Sequence, residues 1–174
     1  TGMLGHATWR VLSDRFDARV TVRGSWAGHP HRHLFPRRRT VEGVEATSAA
    51  DLERAVRAAA PDVVVNCVGL VKQHPAASDA EAAVAVNSLL PHRLAGLAAA
   101  GGFRLVHVST DCVFSGRRGN YSEADTPDPP DLYGRSKLLG EVDRPGCLTL
   151  RASMIGWELG AALVRARIVA QVAH

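Results

Sequence analysis

The stretch "PDVVVNCVG", residues 61–69, decides the fold class of this sequence. Three consecutive valines follow Asp62 and give way to Asn66, so the run is apolar at every position instead of alternating. Such runs are typical of parallel strands that are buried on both faces. We therefore predict a strand at 63–65 that ends at Asn66, within a parallel sheet.

Short β-branched runs alternate with longer alanine- and leucine-rich runs on both sides of this stretch. The pattern predicts further strands at 20–22, 40–44, 105–108 and 148–150, and helices at 6–16, 50–60, 79–100 and 133–142. We expect Ser48 to cap the second helix and Pro91 to kink or restart the third. The alternation implies an α/β fold with a doubly wound parallel sheet, in which ligands bind beyond the carboxyl ends of the strands.

The composition limits the classes of protein to which the chain can belong. With 174 residues, 46% of them hydrophobic and 22% charged, it fits one globular domain. It has neither an apolar run of about 20 residues nor a secretory signal, so we expect no membrane association. The three cysteines lack paired spacing, which predicts no disulfide framework and no metal site and fits a reducing cytoplasm.

The net charge of +4 comes almost entirely from arginine, and the stretch 29–39 combines three histidines with an arginine triplet. No aromatic platform, zinc-ligand spacing or recognition helix accompanies this basic stretch. We therefore interpret it as a solvated loop and expect no nucleic acid as a partner.

The first five residues, "TGMLG", resemble part of a dinucleotide-binding turn. Gly2 and Gly5 match the last two glycines of that turn, where glycine lets the backbone approach a pyrophosphate at a helix N-terminus. Two glycines can equally occupy an ordinary loop. Because the first glycine and the strand before it are not in the sequence, we expect a fragment whose sheet lacks its first strand.

The strand at 20–22 is followed by Arg23, about twenty residues after the glycine turn. An acidic residue at this place suits the ribose hydroxyl of NAD, whereas an arginine suits the 2′-phosphate of NADP. Arg23 therefore favours NADP, unless it merely leaves the strand for solvent.

Tyr133 and Lys137 lie four positions apart on a predicted helix and therefore share one face. A phenol has a pKa of about 10, and a nearby ammonium lowers that pKa by favouring the phenolate. Such a pair can act as general acid or base beside a carbonyl group. Thr110, just after the strand at 105–108, supplies a hydroxyl that can hydrogen-bond the same carbonyl or cap a turn.

Five motifs in this order, "TGMLG", "VVVNCVG", "VHVSTDCVFSG", "YGRSK" and "LTLRASMIGWE", resemble the extended short-chain dehydrogenase/reductases. Within them the chain looks most like the sugar-nucleotide reductases of the dTDP-4-dehydrorhamnose reductase type. The resemblance spans residues 1–159. It implies a Rossmann-like NAD(P)-binding domain at 1–160, with 161–174 as an unassigned tail and the substrate subdomain absent.

The resemblance also implies roles for individual residues. Thr110 would hold the keto oxygen of the substrate, Tyr133 would donate a proton to it, and Lys137 would lower the tyrosine pKa and bind the nicotinamide ribose. The implied cofactor contacts are Gly2, Met3, Leu4, Gly5, Arg23, Asn66, Cys67, Val68, Tyr133, Lys137, Arg151, Ala152 and Ser153.

The implied reaction is the reduction of a 4-keto sugar nucleotide by NAD(P)H, with NADPH favoured, in deoxysugar or polysaccharide synthesis. Cys112 stands where related dehydratases carry a glutamate base, and a thiol is a poor substitute for that carboxylate. A nucleotide-sugar epimerase and a non-catalytic NADP-binding regulatory subunit stay open, as does a homo-oligomeric state. Without the substrate subdomain, we expect these 174 residues alone to bind cofactor and substrate poorly.

Overall fold

A computed structural model describes residues 2–72 and 74–153, which fall into two compact units, 2–61 and 62–153. The predicted tail at 161–174 lies outside the described residues. The parallel strands and the alternating helices confirm the α/β fold class in both units. No helix among the described residues has the length and apolar character that a membrane span requires.

The first unit contains a parallel strand pair and two α-helices. Its elements are α1 (Met3–Leu12), β1 (Val20–Thr21), β2 (Thr40–Val41) and α2 (Ala49–Ala59), with short 3-10 turns at Arg32–Leu34 and Arg37–Arg39. The Ser48 hydroxyl accepts a hydrogen bond from the Asp51 amide and caps α2, as the sequence predicts. Trp9 anchors α1, because its ring contacts Phe35 edge-on and its indole N–H donates to the Leu34 carbonyl.

The second unit is built on three parallel strands in the order β3-β4-β5. These strands are β3 (Val63–Asn66), β4 (Arg104–Ser109) and β5 (Cys147–Arg151). Alternate residues of the central strand, Leu105, His107 and Ser109, are buried. Val63, predicted to be buried on both faces, is 49% exposed, because it begins a strand at the edge of this unit's sheet.

One long helical region, 80–101, packs on the central strand β4. It consists of α3 (Ala80–Ala83), a π-helical segment (Val84–Leu89) and α4 (Leu90–Gly101). Pro91 lies in the first turn of α4, so the sequence prediction of a restart there describes the structure well. Because proline has no N–H to give to the carbonyl four residues earlier, the wider turn just before it fits the break in the helical ladder.

The last helix, α5 (Leu132–Leu139), follows the loop 114–131. The Asp131 carboxylate caps it by accepting the Gly134 amide at 2.8 Å. The helix ends three residues earlier than the predicted 142, because the chain turns at Gly140. A side chain at Gly140 would overlap the backbone carbonyl of Asn87 in the π-helical segment, so this glycine lets the two elements meet backbone to backbone.

The loop 114–131 is held by contacts among its own residues. The rings of Phe114 and Tyr121 are stacked with centroids 4.6 Å apart, and the Arg118 guanidinium lies over Tyr121. Ser115 donates its amide and its hydroxyl to the Asp128 carboxylate. The segment before α5 is therefore ordered.

Candidate active site

The candidate active site lies at the carboxyl end of β4, where the chain passes into Thr110. The Thr110 hydroxyl accepts the Cys112 amide at 3.2 Å and bonds the Asp111 carboxylate at 3.2 Å. The same hydroxyl lies near the phenol of Tyr133, in the first turn of α5, and acts to lower the pKa of that phenol. The structure thus brings together two residues that the sequence analysis selected separately.

Burial controls the acidity of Tyr133. Desolvation raises the pKa of this phenol above its usual value, and the neighbouring side chains of Cys112 and Asp111 act in the same direction. The Thr110 hydroxyl and the ammonium of Lys72 lower the pKa of the phenol, but less strongly than burial raises it. The net shift is upward, opposite to the lowering expected from the sequence, because burial outweighs the nearby positive charge.

Lys137 lies one turn further along α5 and is only 4% exposed. Its ammonium donates a hydrogen bond of 2.8 Å to the Val108 carbonyl near the end of β4. Burial lowers the pKa of Lys137 to about 8, against an opposing effect of Glu141. The direct effect of Lys137 on the phenol, expected from the four-residue spacing, stays a prediction.

Asn87 holds the site together, and the sequence analysis did not select it. Its side chain accepts the Leu70 amide at 2.8 Å and donates to the Leu70 carbonyl and to the Ser136 hydroxyl, both at 3.1 Å. It thereby ties the loop after β3 to the helix that carries Tyr133. An asparagine four residues before a helix-breaking proline is the one sequence signal for this role.

A second polar network fixes the end of β5. Arg151 makes a bidentate ion pair with Glu141, at 2.9 and 2.7 Å, and Ser109 donates its hydroxyl to the same carboxylate at 2.8 Å. The Glu141 carboxylate raises the pKa of Arg151. Ser153 bonds the Asp111 carboxylate, and Ala152 lies half-buried between them. Two of these three predicted cofactor contacts, Arg151 and Ser153, are therefore held in place by partners within the protein.

The predicted cofactor residues at the end of β3 and just after it differ in how deeply they are buried. Asn66 is 3% exposed, pairs with the buried His107 at 3.1 Å and accepts the Val68 amide. Burial lowers the pKa of His107 to about 3, so the imidazole is neutral. Val68 is 42% exposed and Cys67 is half-buried, so this loop presents small side chains to its surroundings.

In the first unit, α1 begins at Met3 and not at the predicted His6. Gly2 is the extended residue that precedes the helix, and its carbonyl accepts the His6 amide at 3.2 Å. Met3, Leu4 and Gly5 therefore form the first helical turn, where amides lack intrahelical partners. Arg23 is exposed and lies 3.3 Å from the Glu45 carboxylate.

No group of three or more His, Cys, Asp or Glu side chains that could hold a metal ion occurs in residues 2–72 and 74–153.

The family model described as the RmlD substrate binding domain matches residues 25–164. A dTDP-4-dehydrorhamnose reductase from Mycobacterium tuberculosis (strain ATCC 25618 / H37Rv) is 41% identical over 102 residues, which cover 56% of this chain and 33% of that protein.

The β subunit of methionine adenosyltransferase 2 from Danio rerio is 39% identical over 104 residues, 57% of this chain and 31% of that protein. The chain thus spans about a third of the length of these curated relatives. Among solved structures, the Bordetella bronchiseptica enzyme WbmG in complex with NAD and UDP matches with a TM-score of 0.69 and 25% identity. The match covers 89% of this chain and 51% of that one.

Proposed function

The chain belongs to the RmlD substrate-binding domain family, and on this premise we propose that the complete protein reduces a 4-keto sugar nucleotide with NAD(P)H. The observation that carries the proposal is the proximity of the Tyr133 phenol and the Thr110 hydroxyl at the carboxyl end of β4. Relatives named as reductases of this kind support it.

The chemistry requires a proton donor and a hydrogen-bond donor at one oxygen atom. The reduced nicotinamide, when bound, supplies a hydride to the keto carbon. Negative charge then develops on the keto oxygen, and Tyr133 is the residue that gives it a proton. Burial raises the pKa of Tyr133, which keeps the phenol protonated at neutral pH as a proton donor must be. The Thr110 hydroxyl, which lies near the phenol, would donate a hydrogen bond to the same oxygen.

The residues around Lys137 fit a nicotinamide nucleotide. Among the described residues its ammonium makes one hydrogen bond, to Val108, and an ammonium has three donors. Two N–H groups thus remain for ribose hydroxyls. A Cβ added at Gly69 would lie 3.9 Å from the Lys137 nitrogen, so the loop backbone after β3 already lies close to this donor.

Several finer assignments belong to the same proposal. We propose a mechanism of the short-chain dehydrogenase/reductase type and an NAD(P)-binding domain that comprises residues 1–160. NADPH is proposed as the preferred cofactor on the strength of Arg23, and cytoplasm as the location on the strength of three free cysteines.

The test uses the complete protein, a dTDP-4-keto-6-deoxy sugar and NADPH that carries deuterium at the transferred position. We expect NADPH to be consumed in proportion to product, with the deuterium on the carbon that carried the keto group. NADH in a parallel reaction measures the cofactor preference. Cofactor that copurifies and is never consumed would instead assign an epimerase.

A regulatory subunit is the second candidate, because the β subunit of methionine adenosyltransferase 2 is nearly as similar to this chain as the reductase is. The presence of Thr110, Tyr133 and Lys137 favours the enzyme, since a protein that only binds needs none of the three for proton transfer. Tight NADPH binding without turnover of any keto sugar would favour the regulatory subunit.

A further inference from the structure

The chain contains two lysines, of which Lys137 lies one turn after Tyr133 on α5. The second, Lys72, comes from the loop after β3, and its side chain is 45% exposed. Its ammonium lies over the Tyr133 ring, 5.6 Å from the ring centroid. The same ammonium is 2.7 Å from the Asp131 carboxylate.

Asp131 connects the two sides of this arrangement. One of its oxygens accepts the Gly134 amide and begins α5, while the other binds Lys72. The carboxylate raises the pKa of Lys72, so the ammonium stays charged at neutral pH. The residue that starts the helix of Tyr133 thus also holds a cation over its ring.

The position of Lys72 is fixed from a second point. Asn87 binds both backbone groups of Leu70, two residues earlier in the same loop. A lysine on an unrestrained loop loses backbone and side-chain entropy when it forms such an ion pair. Here the hydrogen bonds of Asn87 already order part of the loop backbone. The loop that carries Lys72 is therefore held two residues before the ion pair.

The charges that face Tyr133 come from several elements. Asp111 and Cys112 in the 3-10 turn after β4 raise the pKa of the phenol, and Lys72 lowers it. Other charged or titratable groups are Asp131, Arg135 and Lys137 on or next to α5. The elements packed on α5, the 3-10 turn Pro75–Ser78 and α3, add His74, Asp79 and Glu81. Lys72 thus lowers the pKa of the phenol, whereas burial, Asp111 and Cys112 raise it.

We propose that Lys72, held by Asp131, is a positioning residue for Tyr133 whose ammonium stabilises the negative charge left on the phenol when it gives up its proton. The catalytic part of this inference rests on the proposed function. The electrostatic part concerns only residues of this chain and can be measured without substrate or cofactor.

The first measurement is the pH titration of tyrosinate absorbance in the complete protein. The difference between that protein and its Tyr133→Phe variant isolates Tyr133 from all other tyrosines. We expect Lys72→Gln to move the midpoint of this difference to higher pH and Lys72→Arg to restore it. Arg104→Gln removes one exposed positive charge at the start of β4, the end away from Thr110, and should leave the midpoint in place.

The second measurement is the pH profile of kcat/KM. Since reduction requires a protonated phenol, the alkaline limb should move to higher pH in Lys72→Gln, with kcat at neutral pH reduced roughly threefold. Equal titration midpoints in the parent and in Lys72→Gln would overturn the inference, as would equal losses of kcat in Lys72→Gln and Lys72→Arg. A protein that turns over no keto sugar would refute the proposed function and leave the titration result standing.

Discussion

Replacement of Lys137 by methionine should remove catalysis and still leave the fold at least as stable near neutral pH. Lys137 is 4% exposed and its folded pKa is lowered from 10.5 to about 8 by burial. The shift means that the folded state disfavours the charged form relative to the unfolded state. Methionine has a similar length and no charge, so it avoids this penalty.

The size of the penalty follows from the two pKa values. A decrease from 10.5 to about 8 corresponds to about 3 kcal/mol of free energy of unfolding. Below pH 8 the lysine is protonated in both states and the penalty is fully present. Between pH 8 and 10.5 the unfolded chain holds more protons, so the stability of the parent rises with pH, and above 10.5 the penalty is gone. Loss of the hydrogen bond to Val108 offsets about 1–3 kcal/mol of the gain from methionine.

Urea unfolding of the complete parent protein and of Lys137→Met, without added nucleotide, measures this effect at several pH values. We expect the variant to be between equal and about 2 kcal/mol more stable at pH 7, and its advantage to shrink by about 1 kcal/mol by pH 9. All other titrating groups are common to both proteins and cancel in the difference. A stability difference that stays constant between pH 7 and 9 would refute the assignment of a buried, charge-disfavoured lysine.

Two further predictions concern the packing that positions the site. Asn87→Ala should lower the free energy of unfolding by about 3 kcal/mol, because the Leu70 amide and carbonyl lose their side-chain partner and the Ser136 hydroxyl keeps only its bond to the Tyr133 carbonyl. Urea unfolding checks this, and a loss below about 1 kcal/mol would contradict it. Gly140→Ala should destabilise the protein by at least about 2 kcal/mol, because the new methyl group overlaps the Asn87 carbonyl. Gly96→Ala, on the open face of α4, should instead stabilise the protein by about 0.5–1 kcal/mol. Similar urea-unfolding midpoints for the two variants would be inconsistent with this packing.

Much of the fold could be predicted from the sequence, because the relevant signals are local. The valine run at 63–65 and the Ser48 cap are contained in a few adjacent residues, and both have the predicted structure. The start of α1 was placed too late, since Gly2 reads as part of a loop but serves as the residue before the helix. The exposure of Val63 depends on its place in the sheet, which no local pattern contains.

The candidate site could be predicted in part. Tyr133 and Lys137 are four residues apart, so helical geometry alone places them on one face. The ion pair of Lys72 with Asp131 and the hydrogen bonds of Asn87 join segments distant in the sequence, and only the folded chain brings them together. The direction of the Tyr133 pKa was predicted wrongly for the same reason, because burial depends on the packing of several segments.

The proton transfer from Tyr133 is the central claim, and the two tyrosines of this chain allow a matched test. In the complete protein, Tyr133→Phe and Tyr121→Phe each remove one phenol hydroxyl, but Tyr121 lies in the loop 114–131, where its ring stacks on Phe114. With the keto-sugar substrate and NADPH, we expect kcat of Tyr133→Phe to fall by about 10²–10⁴-fold and kcat of Tyr121→Phe to stay within about threefold of the parent. An undiminished kcat in Tyr133→Phe would contradict the account.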